Sequence, residues 1–142
     1  DHLYALLEDF AEIGVRGISL VSDGESTLSP HYASFIERAT NLGIDVGNAT
    51  NGWRLFPELA GRVLPHLQWV RFTVLAGRPR AYLDMMHGPG DEHIYWTAMH
   101  NISEAVRLKR KHGWGVTLGI QTFVTPEHAA EIIPFAQLGN NF

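Results

Sequence analysis

The sequence predicts an α/β protein in which parallel strands alternate with helices along one chain. Three observations predict it. Apolar spacing switches repeatedly between a helical and an extended period. Glycines at 14, 43 and 113 close helical stretches, and Ser29-Pro30 and Thr125-Pro126 open others. Every extended run is followed by a helical one, the order that produces parallel pairing through crossover connections.

Taken in order, Leu3, Leu6, Leu7, Phe10 and Ile13 form one stripe of a helix that ends at Gly14. Gly17 to Ser22 reads as a strand. A helix from Pro30, capped by Ser29, runs to about Leu42. Ile44 to Thr50 is a strand, Arg54 to Leu64 a helix and Gln68 to Leu75 a strand. A short helix covers Arg78 to Met86, and Gly88-Pro89-Gly90-Asp91 is a turn. A longer helix follows from Tyr95 to Lys111. The strand Trp114 to Val124 and a helix from Pro126 to Gln137 complete four βα units behind a leading helix. A doubly wound sheet and a partial (β/α) barrel both accommodate this order.

Composition narrows the function classes. At 142 residues with 45% hydrophobic content the chain is one domain at most, with enough apolar side chains for a core. A net charge of −4 gives no electrostatic reason to expect nucleic acid, and Arg107 to Lys111 reads as a solvated helix face. No apolar run approaches the roughly 20 residues that span a bilayer, so a cytoplasmic protein is expected. With 0 cysteines, thiolate metal sites are excluded within the chain. The eight histidines stand singly, without the spacing of a zinc helix.

Two strands divide by face in an informative way. Val70, Phe72 and Val74 oppose Arg71 and Thr73, and Val116, Leu118 and Ile120 oppose Thr117, Gly119 and Gln121. If the polar face lines a lumen, that lumen holds ligand and water. A closed barrel interior is usually filled with branched apolar side chains instead. The loop Ser22-Asp23-Gly24-Glu25 leaves the first strand at its C-terminal end, the edge where ligands bind in parallel folds. A carboxylate there can hold an ammonium group. Asn51-Gly52 after the second strand suits a tight turn.

These segments resemble the radical S-adenosylmethionine superfamily over essentially the whole chain. Asp23-Gly24-Glu25-Ser26-Thr27-Leu28 is similar to the family's Gly-Glu-Pro-Thr-Leu motif, with Asp for the first Gly of its Gly-Gly-Glu form and Ser for Pro. Thr50-Asn51-Gly52 matches its Thr-Asn-Gly, and Arg71-Phe72-Thr73-Val74-Leu75-Ala76-Gly77 its fourth-strand pattern, with Leu75 for Asp. Asn101-Ile102 matches an Asn-Ile at a helix opening, and Gly119 to Glu127 the fifth strand and its Pro-Glu continuation.

The resemblance implies a partial TIM-like barrel of the radical SAM type, residues 1–142 being a fragment that carries strands 2 to 5. Glu25, with the backbone of Asp23 and Gly24, would bind the amino group of S-adenosylmethionine. Thr50 and Thr73 would bond its carboxylate or ribose, with Asn51 in the same set. Gln121 would line the adenosyl or substrate side, and Arg71 could meet a carboxylate. The family's 4Fe-4S cluster hangs on a Cys-x-x-x-Cys-x-x-Cys loop, which family order would put ahead of Asp1. Its substrate would be a small molecule or peptide, and its electron donor a flavodoxin or ferredoxin. The second reading is a catalytically inactive binding or assembly domain of the same fold. An aldolase or isomerase barrel would want a strand-end lysine, whereas Lys109 and Lys111 both fall on a helix.

As a fragment with unpaired strand edges, the chain by itself is expected to show marginal solubility and a broad thermal transition. A sharp, cooperative, monomeric melt followed by circular dichroism is the outcome that counts against that expectation.

Overall fold

A computed structural model describes residues 2–86 and 91–142. The sequence-predicted turn at Gly88-Pro89-Gly90 lies outside them.

Four strands, β1 (Gly17–Leu20), β2 (Asp45–Thr50), β3 (Leu67–Thr73) and β4 (Thr117–Gln121), form one sheet. Its order is β1-β2-β3-β4, and all three pairings are parallel. This settles the choice left open by the alternation alone. A doubly wound sheet reverses direction after its first strands, whereas strands laid side by side in chain order are the opening arc of a (β/α) barrel.

Burial shows the same one-sidedness. Val46, Asn48, Thr50, Val70 and Phe72 alternate toward a helix layer and are buried. Ser19, Arg71, Thr117 and Gly119 on the other face are exposed. The register carries this across strands, pairing Asn48 with Val70, Thr50 with Phe72 and Phe72 with Ile120. Arg71 pairs with Gly119 and Thr73 with Gln121 on the opposite face. The faces of β3 and β4 are those the alternation predicts.

Among the described residues six helices accompany the sheet: α1 (His2–Glu12), α2 (Tyr32–Asn41), α3 (Pro57–Val63), α4 (Pro79–Met85), α5 (His93–His112) and α6 (Ile132–Gly139). Ile36 and Ala39 of α2, Ala60 and Val63 of α3, and Ala98, Ile102 and Ala105 of α5 bury a shared apolar seam against the strands. Small alanines at these crossings let helix and sheet approach closely. The C-terminal turn of α5 carries Lys109, Arg110, Lys111 and His112, where cations oppose the helix dipole. Gly113 ends that helix at φ 66°.

Several boundaries differ from the sequence reading. β1 and β4 are shorter than their extended runs, because Val21, Phe123 and Val124 flank them as exposed residues. α2 begins at Tyr32, since Ser29 and Pro30 belong to a turn in which the Tyr32 amide donates to the Ser29 carbonyl. The segment after Thr125 opens as a 3₁₀ turn, Pro126–Glu131, before α6. Asn101 sits within α5, not at a helix opening.

One close approach fixes the far side of the sheet. A Cβ added at Gly77 would lie 2.3 Å from the backbone carbon of Pro134, so only glycine lets the segment after β3 pass under α6. Gly115, by contrast, has open space around it. Gly77→Ala is expected to lower stability by about 1–3 kcal/mol through forced displacement of backbone. Gly115→Ala should stay within about 0.5 kcal/mol. Comparison of urea midpoints by circular dichroism checks this, and coincident midpoints would contradict the packing described.

Candidate functional site

The loops that leave the C-terminal ends of the strands gather the polar residues. The first loop is short and turns sharply at Glu25, which caps a 3₁₀ turn over Ser26–Leu28. Its side chain then does what a capping carboxylate does and more. Oε1 accepts from the Thr27 amide at 3.2 Å and the Thr27 hydroxyl at 2.8 Å. It also accepts from the Thr50 hydroxyl at 2.7 Å, and Oε2 accepts from the Asn51 amide at 2.8 Å. One carboxylate thereby joins the loop after β1 to the loop after β2. Charge-assisted bonds of this kind are roughly twice as strong as neutral ones.

The second loop is held from three sides. The Thr50 hydroxyl accepts from the Gly52 amide at 3.1 Å, and Asn51 Oδ1 accepts from the Trp53 amide at 2.9 Å. Gly52 takes φ 78°, which a glycine adopts without steric cost. From α5, buried Asn101 donates to the Gly52 carbonyl at 2.9 Å and the Trp53 carbonyl at 3.0 Å.

Below this rim, Asn48 donates to the Tyr32 hydroxyl at 2.9 Å. Burial, and secondarily the negative charge of Glu25, push the Tyr32 phenol well above its ordinary range. It stays protonated at any physiological pH.

The loops after β3 and β4 form a second assembly. Gln121 Nε2 donates to the Thr73 hydroxyl at 3.0 Å, and the Thr122 hydroxyl donates to the Leu75 carbonyl at 2.8 Å. Arg78 donates to buried Glu131 through Nε at 2.8 Å and also through its second guanidinium arm. Tyr95 of α5 donates to the Gly77 carbonyl at 2.8 Å.

The structure therefore brings together some of the sequence-predicted residues and separates others. Glu25, Thr50 and Asn51 form one network. Thr73 and Gln121 form another, on the open face. Thr50 and Thr73 do not meet side by side, because Thr50 shares the buried face of Phe72 while Thr73 projects from the opposite face. Asp23 and Gly24 stand exposed at the loop tip, where Ser22 donates to the Gly24 carbonyl at 3.0 Å. Arg71 lies deeper on the open face, its guanidinium carbon 4.8 Å from the centre of the Trp69 ring. Sequence reasoning missed Thr27 and gave Asn101 no bonding role. Asn101 left a signal, as a polar residue on the same helical stripe as Ala98, Ile102 and Ala105.

Among the described residues, no group of three His, Cys, Asp or Glu side chains is placed to hold a metal ion. Nor is any helix among them long and apolar enough to cross a membrane.

No family model matches the chain, and no curated protein matches it. Among solved structures, that of archaeal TYW1 shares the fold. The match covers 95% of this chain at a TM-score of 0.64 and 15% identity. It spans 47% of the TYW1 chain, so this sequence corresponds to less than half of that protein's length. The likeness establishes the architecture, a parallel α/β arc with its helices on one side.

Glu25→Gln tests the rim network. An amide offers one carbonyl oxygen where the carboxylate offers two, so at least one part-buried donor loses its acceptor, at a cost of about 1 kcal/mol. The Asn51 amide is expected to exchange with deuterium at least tenfold faster in this variant. Unchanged exchange at Asn51 would mean that Glu25 does not hold the second loop.

Proposed function

We propose that this chain is the part of a radical SAM core barrel that carries strands 2 to 5, and that its rim binds S-adenosylmethionine for 5′-deoxyadenosyl radical chemistry. The observation that carries the reading is the Glu25 network. The motif residues Glu25, Thr50 and Asn51, brought from two separate strands, converge at the C-terminal edge of a parallel arc. The likeness to archaeal TYW1, a radical SAM enzyme, supports the same reading at the level of fold.

The donor set permits a division of labour. Each carboxylate oxygen offers about two acceptor sites. Glu25 Oε1 is filled by its donors, whereas Oε2 takes only the Asn51 amide and keeps one acceptor site for an ammonium. Glu25 is thus both the clasp of the two loops and a contact for the cofactor's amino group. Asp23 and Gly24, exposed beside it, offer backbone to the same group, and Asn51 closes that side. Thr50 acts through Glu25, as a positioning residue whose hydroxyl is used inside the protein. Thr73 and Gln121, joined on the open face, meet the ribose or adenine side.

The cluster is another matter. With 0 cysteines the chain supplies none of its thiolates, so no cluster chemistry belongs to these residues. The 4Fe-4S site, the small-molecule or peptide substrate and a flavodoxin or ferredoxin donor belong to the full-length parent, a cytoplasmic enzyme in this reading.

Equilibrium dialysis of the chain against S-adenosylmethionine is expected to show saturable binding that Glu25→Gln weakens at least tenfold. The parent, reconstituted with iron and sulfide and reduced with dithionite, should release 5′-deoxyadenosine. Binding without release would favour the inactive binding domain, and no binding by either form would end the proposal.

A further inference from the structure

The open face of the sheet is not uniformly polar. Its floor is a stack. Trp69 lies flat on Gly47, so that a Cβ added there would fall 2.0 Å from the indole carbon Cε2. Gly47 and Trp69 are register partners on neighbouring strands, which makes the glycine the seat of the ring. The Arg71 guanidinium rests on the Trp69 ring at 4.8 Å. Arg71 is itself paired across the sheet with Ala49 on one side and Gly119 on the other. Those partners contribute one methyl group and none, and the space above Gly119 is open. Around the exposed guanidinium the sheet therefore carries little side-chain cover.

Among the described residues that charge has no ion-pair partner. Asp45, the acidic residue lower on β2, accepts instead from Gln68 at 2.9 Å. A planar guanidinium held on an aromatic face keeps its donor edge presented in a fixed plane, with less side-chain freedom to lose on binding. That is the arrangement a two-oxygen anionic group matches, through two parallel charge-assisted bonds.

We propose that Gly47, Trp69 and Arg71 form an oxyanion subsite on the lumen floor, which takes a carboxylate or phosphate group of the ligand that enters the barrel. The subsite lies two residues, about 7 Å along the strand, below Thr73, and so below the rim assigned to the cofactor. It extends the reading of the open face as a lumen, and it does not depend on which cofactor the rim holds. Failure of S-adenosylmethionine to bind would leave it standing, and the reverse also holds.

The test is a titration of the ¹⁵N-labelled chain at constant ionic strength, once with inorganic phosphate and once with succinate, each replacing chloride. The signals followed are the Arg71 Nε–H and the Trp69 indole N–H. Arg54 is the internal reference, because its guanidinium stacks on Phe56 at 5.6 Å in the same manner on an exposed surface. Saturable shifts at Arg71 and Trp69, with only linear drift at Arg54, are expected. The anion that saturates at lower concentration names the group.

Arg71→Gln should weaken binding at least tenfold, and Arg71→Lys should recover part of it by charge without the planar fork. Gly47→Ala, which must push the indole off its seat, should weaken binding while leaving the Arg71 charge in place. Arg110→Gln, on the helix surface, should bind as the parent does. Equal drift at Arg54 and Arg71 with both anions, or unaltered binding in Arg71→Gln, would overturn the subsite.

Discussion

The arrangement at the rim depends on one carboxylate reaching across from the first strand's loop to the second. Parallel strands are joined through helices, so no hairpin turn ties neighbouring loops at the C-terminal edge to one another. Something else must register them. Glu25 does so by taking four donors, two from its own turn and two from the end of β2. The local pair closes the 3₁₀ turn and fixes the carboxylate; the distant pair then finds it already in position. Without the turn, the second loop would meet a mobile side chain.

The sheet beneath imposes a complementary constraint. One face must be covered by helices to bury Val46, Val70 and Phe72, and the other is left, apart from Trp69, to small and polar residues. The same alternation that packs the core therefore also supplies the floor on which Trp69 and Arg71 lie. Core and open face are two readings of one period.

Much of this was legible in the residues. The βα alternation and the face split of β3 and β4 follow from periodicity. The resemblance of their motifs is what singles out the Glu25 and Thr50-Asn51 loops, which the structure joins by hydrogen bonds. What was not legible has physical reasons. Strand order separates a barrel arc from a doubly wound sheet, yet it is a long-range property that local patterns do not encode. Thr50 was grouped with Thr73 because both end strands, while parity across the register sends them to opposite faces. Trp69 gave no warning, because its seat on Gly47 is a contact between strands and not along one. The 3₁₀ opening after Thr125 looks helical in sequence, since Pro at a first position suits both forms.

Helix α5 has a role that its amphipathic pattern conceals. Tyr95 bonds the Gly77 carbonyl in one half of the rim, and Asn101 bonds Gly52 and Trp53 in the other. The helix is thus a ruler laid across both halves. An α-helix advances about 1.5 Å and turns about 100° per residue, so only one spacing lets both side chains reach their carbonyls together. The loops after β2 and β3 are thereby tied to the pitch of one helix that lies outside the sheet.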